Sequence, residues 1–346
     1  MVKTLIDILN KKKKLSFDEW KYLLENYTED DRKYAENLAR EITISNFSKK
    51  IFFRGIIEFT NVCKNDCYYC GIRKSNTCIS RYRLAKSDIL ECARDGYENG
   101  FRTFVLQGGE DGFFKDEILC DIVSSLKSEF PDCAVTLSVG ERSRESYINL
   151  YNAGADRYLI RHEAASSELY KKIHPSIMKH SERIRCLYDL KEIGYQTGCG
   201  FMVGVPHQTS ADIAEDMVFM QTFKPHMVGI GPFIPHKDTP FGKYNAGSVS
   251  LTLMLISLTR IMLPKSLLPS TTALGTAESD GRQQGVLAGC NVVMPNLSPS
   301  SVRKKYMLYD NKIGTEFDAE TGIKLLKKQM ADIGYEVVCS RGDYKE

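Results

Sequence analysis

The sequence has no hydrophobic run long enough to cross a membrane. Its longest candidate, residues 251–263, falls short of the ~20 apolar residues a span needs and contains Ser257 and Arg260. Charge of one sign is also missing: 47 Lys and Arg face 44 Asp and Glu, a net +3 that advertises neither a nucleic-acid nor a membrane surface. No proline-rich linker, low-complexity tract or charge block divides the chain beyond its first 48 residues. The opening segment has Asp7 inside its only apolar stretch and Lys11 to Lys14 behind it, so it lacks the features of a secretory signal. Eleven cysteines, an odd number on 346 residues, do not describe a small disulfide-stapled scaffold. These absences predict a folded protein of the reducing cytoplasm, with no membrane and no nucleic acid among its partners.

What is present is alternation. Residues 1–48 show helical spacing (Leu5, Ile8, Leu9; Trp20, Leu23, Leu24; Tyr34, Leu38, Ile42). Beyond them, strand-like runs at 51–59, 103–107, 134–139, 156–161, 196–203, 227–231, 266–272 and 291–294 are interleaved with helix-like stretches at 86–99, 115–129, 144–153, 181–193, 210–222, 250–263, 279–288 and 319–333. Eight strand and helix signals in alternation predict an α/β fold, a (βα)8 TIM barrel, with a doubly wound open sheet as the alternative. The expected organisation is an N-terminal helical extension (1–48), the barrel (49–312), and a C-terminal helix and short tail packed on it (313–346).

Chemistry concentrates after the first strand. Cys63, Cys67 and Cys70 form Cys-x3-Cys-x2-Cys, with Tyr69 before the last. Thiolates at this density select zinc, copper(I) or iron–sulfur clusters. Structural zinc needs four closed positions, yet the next cysteine is Cys78 and the first histidine is His162. A three-cysteine [4Fe–4S] cluster with one open iron fits better. Lys64, Asn65 and Asp66 make the loop polar, which weakens a buried-cysteine reading. Cys92, Cys120, Cys133, Cys186, Cys199, Cys290 and Cys339 are scattered and read as small core residues.

The cysteine motif resembles that of the radical S-adenosylmethionine (SAM) superfamily. The resemblance extends through Arg54–Cys63, Leu106–Asp111, Val135–Glu141, Ala153–Glu163, Val228–His236 and Ser270–Thr276, which together are similar to the HydE type of [FeFe]-hydrogenase maturase, a relative of biotin synthase and the methylornithine synthase PylB. It implies one [4Fe–4S] cluster on Cys63, Cys67 and Cys70, with SAM chelated to the open iron. Tyr69, Gly108, Gly109, Glu110, Ser138, Glu163, Arg183, Met202, Met227 and Ile230 would bind SAM, with Glu110 at its amino group, Ser138 and Glu163 at the ribose, and Arg183 at the carboxylate. Arg54, Thr136, Arg161, Thr271, Thr272 and Tyr306 would hold the substrate.

The residues carry physical readings of their own. Adjacent glycines let backbone approach a ligand, although Gly-Gly-Glu alone is commonly just a turn. Thr136 and Ser138 share a strand face by alternation, as do Arg161 and Glu163; the latter two make a structural ion pair or a ligand clamp. Arg183, on a helix, would by itself be a surface charge, and Met202 and Met227 equally serve a plain core. Arg54 and Glu58 fall on one face of the first strand, so both need partners if that face is internal. His236 reads as loop-organising rather than metal-binding. Three departures stand out: His207 occupies a position where relatives commonly carry glycine, Gln107-Gly108 replaces Gln-Ser, and Gly314, Gly322 and Leu325 stand where several HydE proteins place cysteines for an auxiliary cluster. A single cluster is therefore expected.

The activity implied is reductive cleavage of SAM to a 5′-deoxyadenosyl radical. This would act on a cysteine-bound iron carbonyl/cyanide precursor in assembly of the diiron site. The partners implied are a HydG-like donor, a HydF-like scaffold and a low-potential electron donor. The rivals are a PylB-like lysine mutase or another biotin-synthase-like enzyme, a non-enzymatic iron–sulfur or zinc protein, and a nucleic-acid-modifying radical enzyme, which the balanced charge disfavours.

Overall fold

The computed structural model describes residues 1–315 and 319–345. Helices α1 (Val2–Lys12), α2 (Phe17–Asn26) and α3 (Glu29–Phe47) come first. Then follow β1 (Lys50–Phe53), β2 (Gly55–Thr60), α4 (Lys86–Glu98), β3 (Thr103–Gly108), α5 (Asp116–Glu129), β4 (Ala134–Ser138), α6 (Arg144–Asn152) and β5 (Arg157–Leu159). The chain continues through α7 (Ser167–Ile173), α8 (His180–Ile193), β6 (Gln196–Val203), α9 (Ser210–Phe223), β7 (Met227–Pro232), α10 (Val249–Met262), α11 (Thr272–Ala277) and α12 (Gly281–Leu287). It ends with β8 (Val292–Val293), α13 (Ser300–Arg303), α14 (Ala319–Asp332) and β9 (Glu336–Val338).

Six parallel strands run in the order β2-β3-β4-β5-β6-β7, and single bridges carry the sheet round. Met227 pairs with Leu267, Pro269 with Val292, β8 with β1, and Ile56 with Asn296. The result is an α/β fold of TIM-barrel type. The strand expected at 266–272 is reduced to those bridges because Pro269 has no N–H for a ladder and α11 starts at Thr272. The strand expected at 51–59 is broken at Arg54: β1 lies between β8 and β9, whereas β2 lies beside β3. The eight outer helices fall within two residues of their expected bounds, while α7, α11, α13 and β9 had no clear sequence signal. Of the cysteines read as core residues, Cys339 is exposed and Cys120 half-buried; Cys78 is also exposed.

Capping boxes at Ser16 and Thr28 start α2 and α3. The apolar stripe of the N-terminal helices, including Ile6, Leu9, Trp20 and Leu23, is buried, with α2 against α9 and both α1 and α3 against α10. Each such side chain stabilises the fold by about 1.5–3 kcal/mol. Alternation then sorts the strands. Phe104, Leu106, Val135, Leu137, Tyr158, Ile160, Phe201, Val228 and Ile230 join the core under the helices, and their neighbours turn into the lumen.

The tail does more than pack on the barrel. Beyond β9 it crosses the N-terminal ends of the strands. There Asp343 pairs with Arg157 at 2.6 Å and Arg341 at 2.8 Å, and the Tyr344 amide donates to Gln196 at 2.9 Å. Burial works to raise the Asp343 carboxyl, but Arg341 and Arg157 outweigh it and hold it at about 2 instead of 3.8. A carboxyl depressed on folding adds stability above its unfolded pKa, and that stability is lost as pH falls through the folded value. Urea unfolding between pH 3.8 and 2 is therefore expected to show a steeper loss of stability in the parent than in Asp343→Asn. Superimposable profiles would contradict a stabilising tail contact.

Candidate active site

Residues 61–85, between β2 and α4, contain no helix or ladder strand, and the three cysteines lie near their start. Hydrogen bonds replace regular structure. Arg81 donates to the carbonyls of Asn61, Ile72, Arg73 and Asn76 at 2.6 to 3.0 Å. Asp66 takes Arg73 and Ser75, and Arg73 above all holds its carboxyl well below the ordinary range. Gly109, at the end of β3, lies directly on this loop: a Cβ there would sit 2.3 Å from the Val62 carbonyl oxygen. Burial, then the neighbouring Cys70, pushes the Cys67 thiol up, with Cys63 adding to it. Burial also drives Cys70 up to about 12, Cys63 again contributing.

The upper lumen gathers many of the other candidates. Glu110 accepts from the Glu141 amide at 3.0 Å and meets Lys64 at 3.1 Å. Arg183 is buried rather than at the surface, donating to Glu141 at 2.6 Å and to the Arg161 carbonyl at 2.7 Å. Arg161 meets Glu163 at 3.0 Å, and Glu163 is held at φ 63 with its second carboxylate oxygen buried and unpartnered. Tyr69 donates to His174 Nε2 at 3.0 Å, because His174 Nδ1 gives its proton to the Tyr170 carbonyl. Burial, followed by Arg183, lowers His174 to about 3 and keeps it neutral. Met202 packs in the same cluster as Tyr69. Tyr306 is buried with its hydroxyl on Gln107. Ser138 stands opposite Gln107 across the β3–β4 pair. Gly108 packs tightly on Thr60, its position for a Cβ only 2.7 Å from Thr60 Cγ2. Thr271 caps α11, its hydroxyl over Gly231, and Thr272 follows half-buried.

A second group lies lower. Arg54, Thr136 and Met227 line a small cavity with Arg157, Tyr158, Gln196, His226 and Leu267. Arg54 donates to Met227 Sδ at 2.8 Å and to the Gly342 carbonyl at 3.3 Å, while its Nε, Thr136 Oγ1 and Arg157 Nε are buried without partners. The expected grouping of Arg54 and Thr136 with Arg161, Thr271 and Thr272 is thus spread over two levels. Met227 is not with the upper group, and the Ile230 side chain turns outward into the core because it alternates with lumen-facing Met227. Glu58 finds its counter-charge in Lys312, which also donates to the Tyr306 carbonyl at 3.0 Å. The Asp238 amide donates to His236 Nδ1 at 3.2 Å, an organising contact in its loop. His207 adopts φ 74, the left-handed conformation for which glycine is suited. The missed residues are Arg157, Gln107, His174 and Lys312. Arg157 shares the lumen face of Arg161 by alternation, and Gln107 lies opposite the outward Phe104 and Leu106 in the same way, signals that were present; His174 and Lys312 had none.

The sequence pattern described as the radical SAM superfamily matches residues 57–220. The chain is 44% identical over 310 residues to the [FeFe] hydrogenase maturase subunit HydE of Thermotoga maritima, covering 89% of this chain and 88% of that one. The chain belongs to the HydE family of radical SAM enzymes. The 3-methylornithine synthase of Methanosarcina acetivorans is 26% identical over 324 residues, 93% of this chain and 90% of the other. The crystal structure of methylornithine synthase (PylB) superposes with a TM-score of 0.84 at 25% identity, covering 96% and 97% of the two chains.

Membership in the HydE family implies a [4Fe–4S] cluster and SAM, and the residues present fit both. Among the described residues no three His, Cys, Asp or Glu side chains are already gathered around a single point. Three thiols within eight residues of one loop, with Cys78 of the same loop exposed, suit a cluster with an open position. The orphaned Glu163 oxygen is an acceptor awaiting a donor such as a sugar hydroxyl. Gly109→Ala tests the close approach of β3 to the loop. It is expected to lower iron bound per chain severalfold after anaerobic reconstitution and to destabilise the fold by about 1–3 kcal/mol. Full iron content at unchanged stability would show that the contact is dispensable.

Proposed function

We propose that the enzyme cleaves SAM reductively and uses the product radical on a cysteine-bound iron carbonyl/cyanide precursor, within [FeFe]-hydrogenase maturation. The single observation that carries this reading is the 44% identity to HydE over nearly the whole chain, joined to a lumen whose polar groups match the need. Cys63, Cys67 and Cys70 would hold the cluster, which when bound supplies the electron that breaks the sulfonium carbon–sulfur bond, giving methionine and a 5′-deoxyadenosyl radical. Glu110 offers a carboxylate to the SAM ammonium, Arg183 a guanidinium to its carboxylate, and Glu163 and Ser138 acceptors to the ribose. Tyr69, fixed by His174, together with Gly108, Gly109, Met202 and the main chain at Ile230, walls the nucleoside. Arg161, Thr271, Thr272 and Tyr306 hold the amino-acid end of the substrate at the upper level. The unpartnered donors of Arg54 and Thr136 serve an anionic group below. Enclosure in the barrel excludes the water and side chains that would quench a primary radical.

The partners of this reading are a HydG-like donor, a HydF-like scaffold and a low-potential electron donor, all in the cytoplasm. No helix among the described residues is long and apolar enough to cross a membrane. At Gly314, Gly322 and Leu325, where several HydE proteins place auxiliary-cluster cysteines, the chain has no thiol; residues 316–318 between them lie outside the described residues. A PylB-like mutase is the second reading, favoured by the superposition with PylB.

In anaerobically reconstituted protein given dithionite, Cys67→Ala is expected to abolish 5′-deoxyadenosine release. Release at the parental rate would refute the cluster assignment. Glu163→Gln is expected to raise KM for SAM about tenfold or more with a smaller change in kcat, as for loss of a charge-assisted hydrogen bond. Conversion of L-lysine to methylornithine would decide for the mutase, whereas restored hydrogenase activity in a maturation-deficient strain would decide for the maturase.

A further inference from the structure

His162 and Asp216 are both completely buried under α9, on the outer side of the sheet. The His162 ring packs against Phe201 of β6 and Phe219 of α9, with centroids 5.7 and 4.8 Å away. The Gly200 amide donates to His162 Nδ1 at 3.3 Å, so the ring proton sits on Nε2, which donates to Asp216 Oδ1 at 3.2 Å. The same oxygen accepts from the Ala165 amide at 2.6 Å, and Asp216 Oδ2 is buried with no partner. A buried polar pair that leaves one oxygen unsatisfied is a poor device for stability, since apolar side chains of similar size fill such a space without the desolvation cost. What the pair does supply is position.

Glu163 lies between the two points that the pair holds, residue 162 through its ring and residue 165 through its amide. Gly200 adds a third: its N–H takes His162, and its carbonyl accepts from the Glu163 amide at 3.1 Å. Gly200 in turn lies so close to β7 that a Cβ there would stand 2.0 Å from the Gly229 carbonyl oxygen. Glu163 needs such a frame, because φ 63 is a conformation that a residue with a Cβ adopts only where its surroundings impose it. In that conformation its carboxylate meets Arg161 through Oε1 and keeps Oε2 without a partner. We propose that His162 and Asp216 are a positioning pair for the reaction, fixing residues 162–165 in the turn that aims the unpartnered oxygen of Glu163 at the ribose of SAM. The proposal rests on the ribose contact assigned to Glu163 above; the pair itself, on the far side of the sheet, acts only through that residue.

The test compares Asp216→Ala, His162→Phe and Asp216→Asn as reconstituted full-length protein. Alanine removes the shared acceptor, phenylalanine keeps a ring against Phe201 and Phe219 without its hydrogen bonds, and asparagine keeps Oδ1 as an acceptor. Anaerobic calorimetric titration with SAM, without reductant, is expected to show affinity about fivefold weaker in the first two and within about twofold of the parent in the third, with the loss appearing in KM rather than kcat. Amide hydrogen exchange is expected to quicken in the peptide spanning 161–166 and not across the other strands. The decisive comparison is a double-mutant cycle: with Glu163→Ala already in place, Asp216→Ala is expected to change SAM affinity by less than about twofold. An undiminished effect in that background would overturn the proposal, as would exchange quickened across the whole barrel or a loss confined to kcat. Should Asp216→Ala fail to fold, His162→Phe carries the same cycle. An affinity for SAM unchanged in Glu163→Ala alone would sink the ribose contact on which the pair depends, a failure read from that single variant and not from the cycle.

Discussion

Taking a guanidinium out of water costs several kcal/mol unless acceptors replace the lost hydration, and the lumen of this barrel holds Arg54, Arg157 and Arg161. Much of the chain outside the sheet is arranged around that demand. Arg157 is met by Asp343 and by the carbonyl of Arg341, so the tail must pass beneath the strands. Arg161 is met by Glu163 two residues on, which places the chain in a left-handed conformation at the strand end. Arg54 is only partly met, by a thioether and a carbonyl; burial and the nearby Arg157 both weigh against its charge. The same cost applies to the acid at the other level: Glu58, inside the sheet, draws Lys312 down over the Tyr306 carbonyl and so ties the segment after α13 to the barrel mouth.

The cluster loop answers a different constraint, that of distance. Three thiols on a loop without ladder hydrogen bonds stay in one place because Arg81 staples four carbonyls from beneath and Gly109 brings β3 into contact from the side. The Glu110 carbonyl then accepts from the Lys64 amide at 2.9 Å, and its carboxylate reaches the Glu141 amide. The end of β3, the loop and the end of β4 therefore form one hydrogen-bonded unit, and displacement of any member is felt by the sulfurs.

Much of this was legible in the chain. The outer helices announced themselves through apolar spacing and caps, and the cysteines through density in a polar loop. The run at 266–272 reads as a strand but makes only single bridges, because Pro269 has no N–H for a ladder and this outweighs the apolar pattern. Strand β9 was not legible because Glu336, Val337 and Val338 show no buried alternation; they pair only because β1 offers an edge. Resemblance named Met227 and Ile230 together, yet residues three apart on a strand point to opposite faces, and the two side chains end in different places. The tight turn that favours glycine at 207 is made by histidine all the same, with Phe241 and Tyr244 against its ring.

The pairing of β1 with β9 joins the first strand of the barrel to nearly the last residues described. Such a contact closes a loop running from residue 50 to residue 336, and it is made only after the chain has been synthesised beyond residue 338. During translation the cysteine loop emerges early, while the lower end of the lumen stays unsealed and Arg157 is hydrated. The floor beneath the cavity is therefore set only once the tail has been made, and the cysteine loop too waits for residues 305–308, which accept from Asn61 and Gly71.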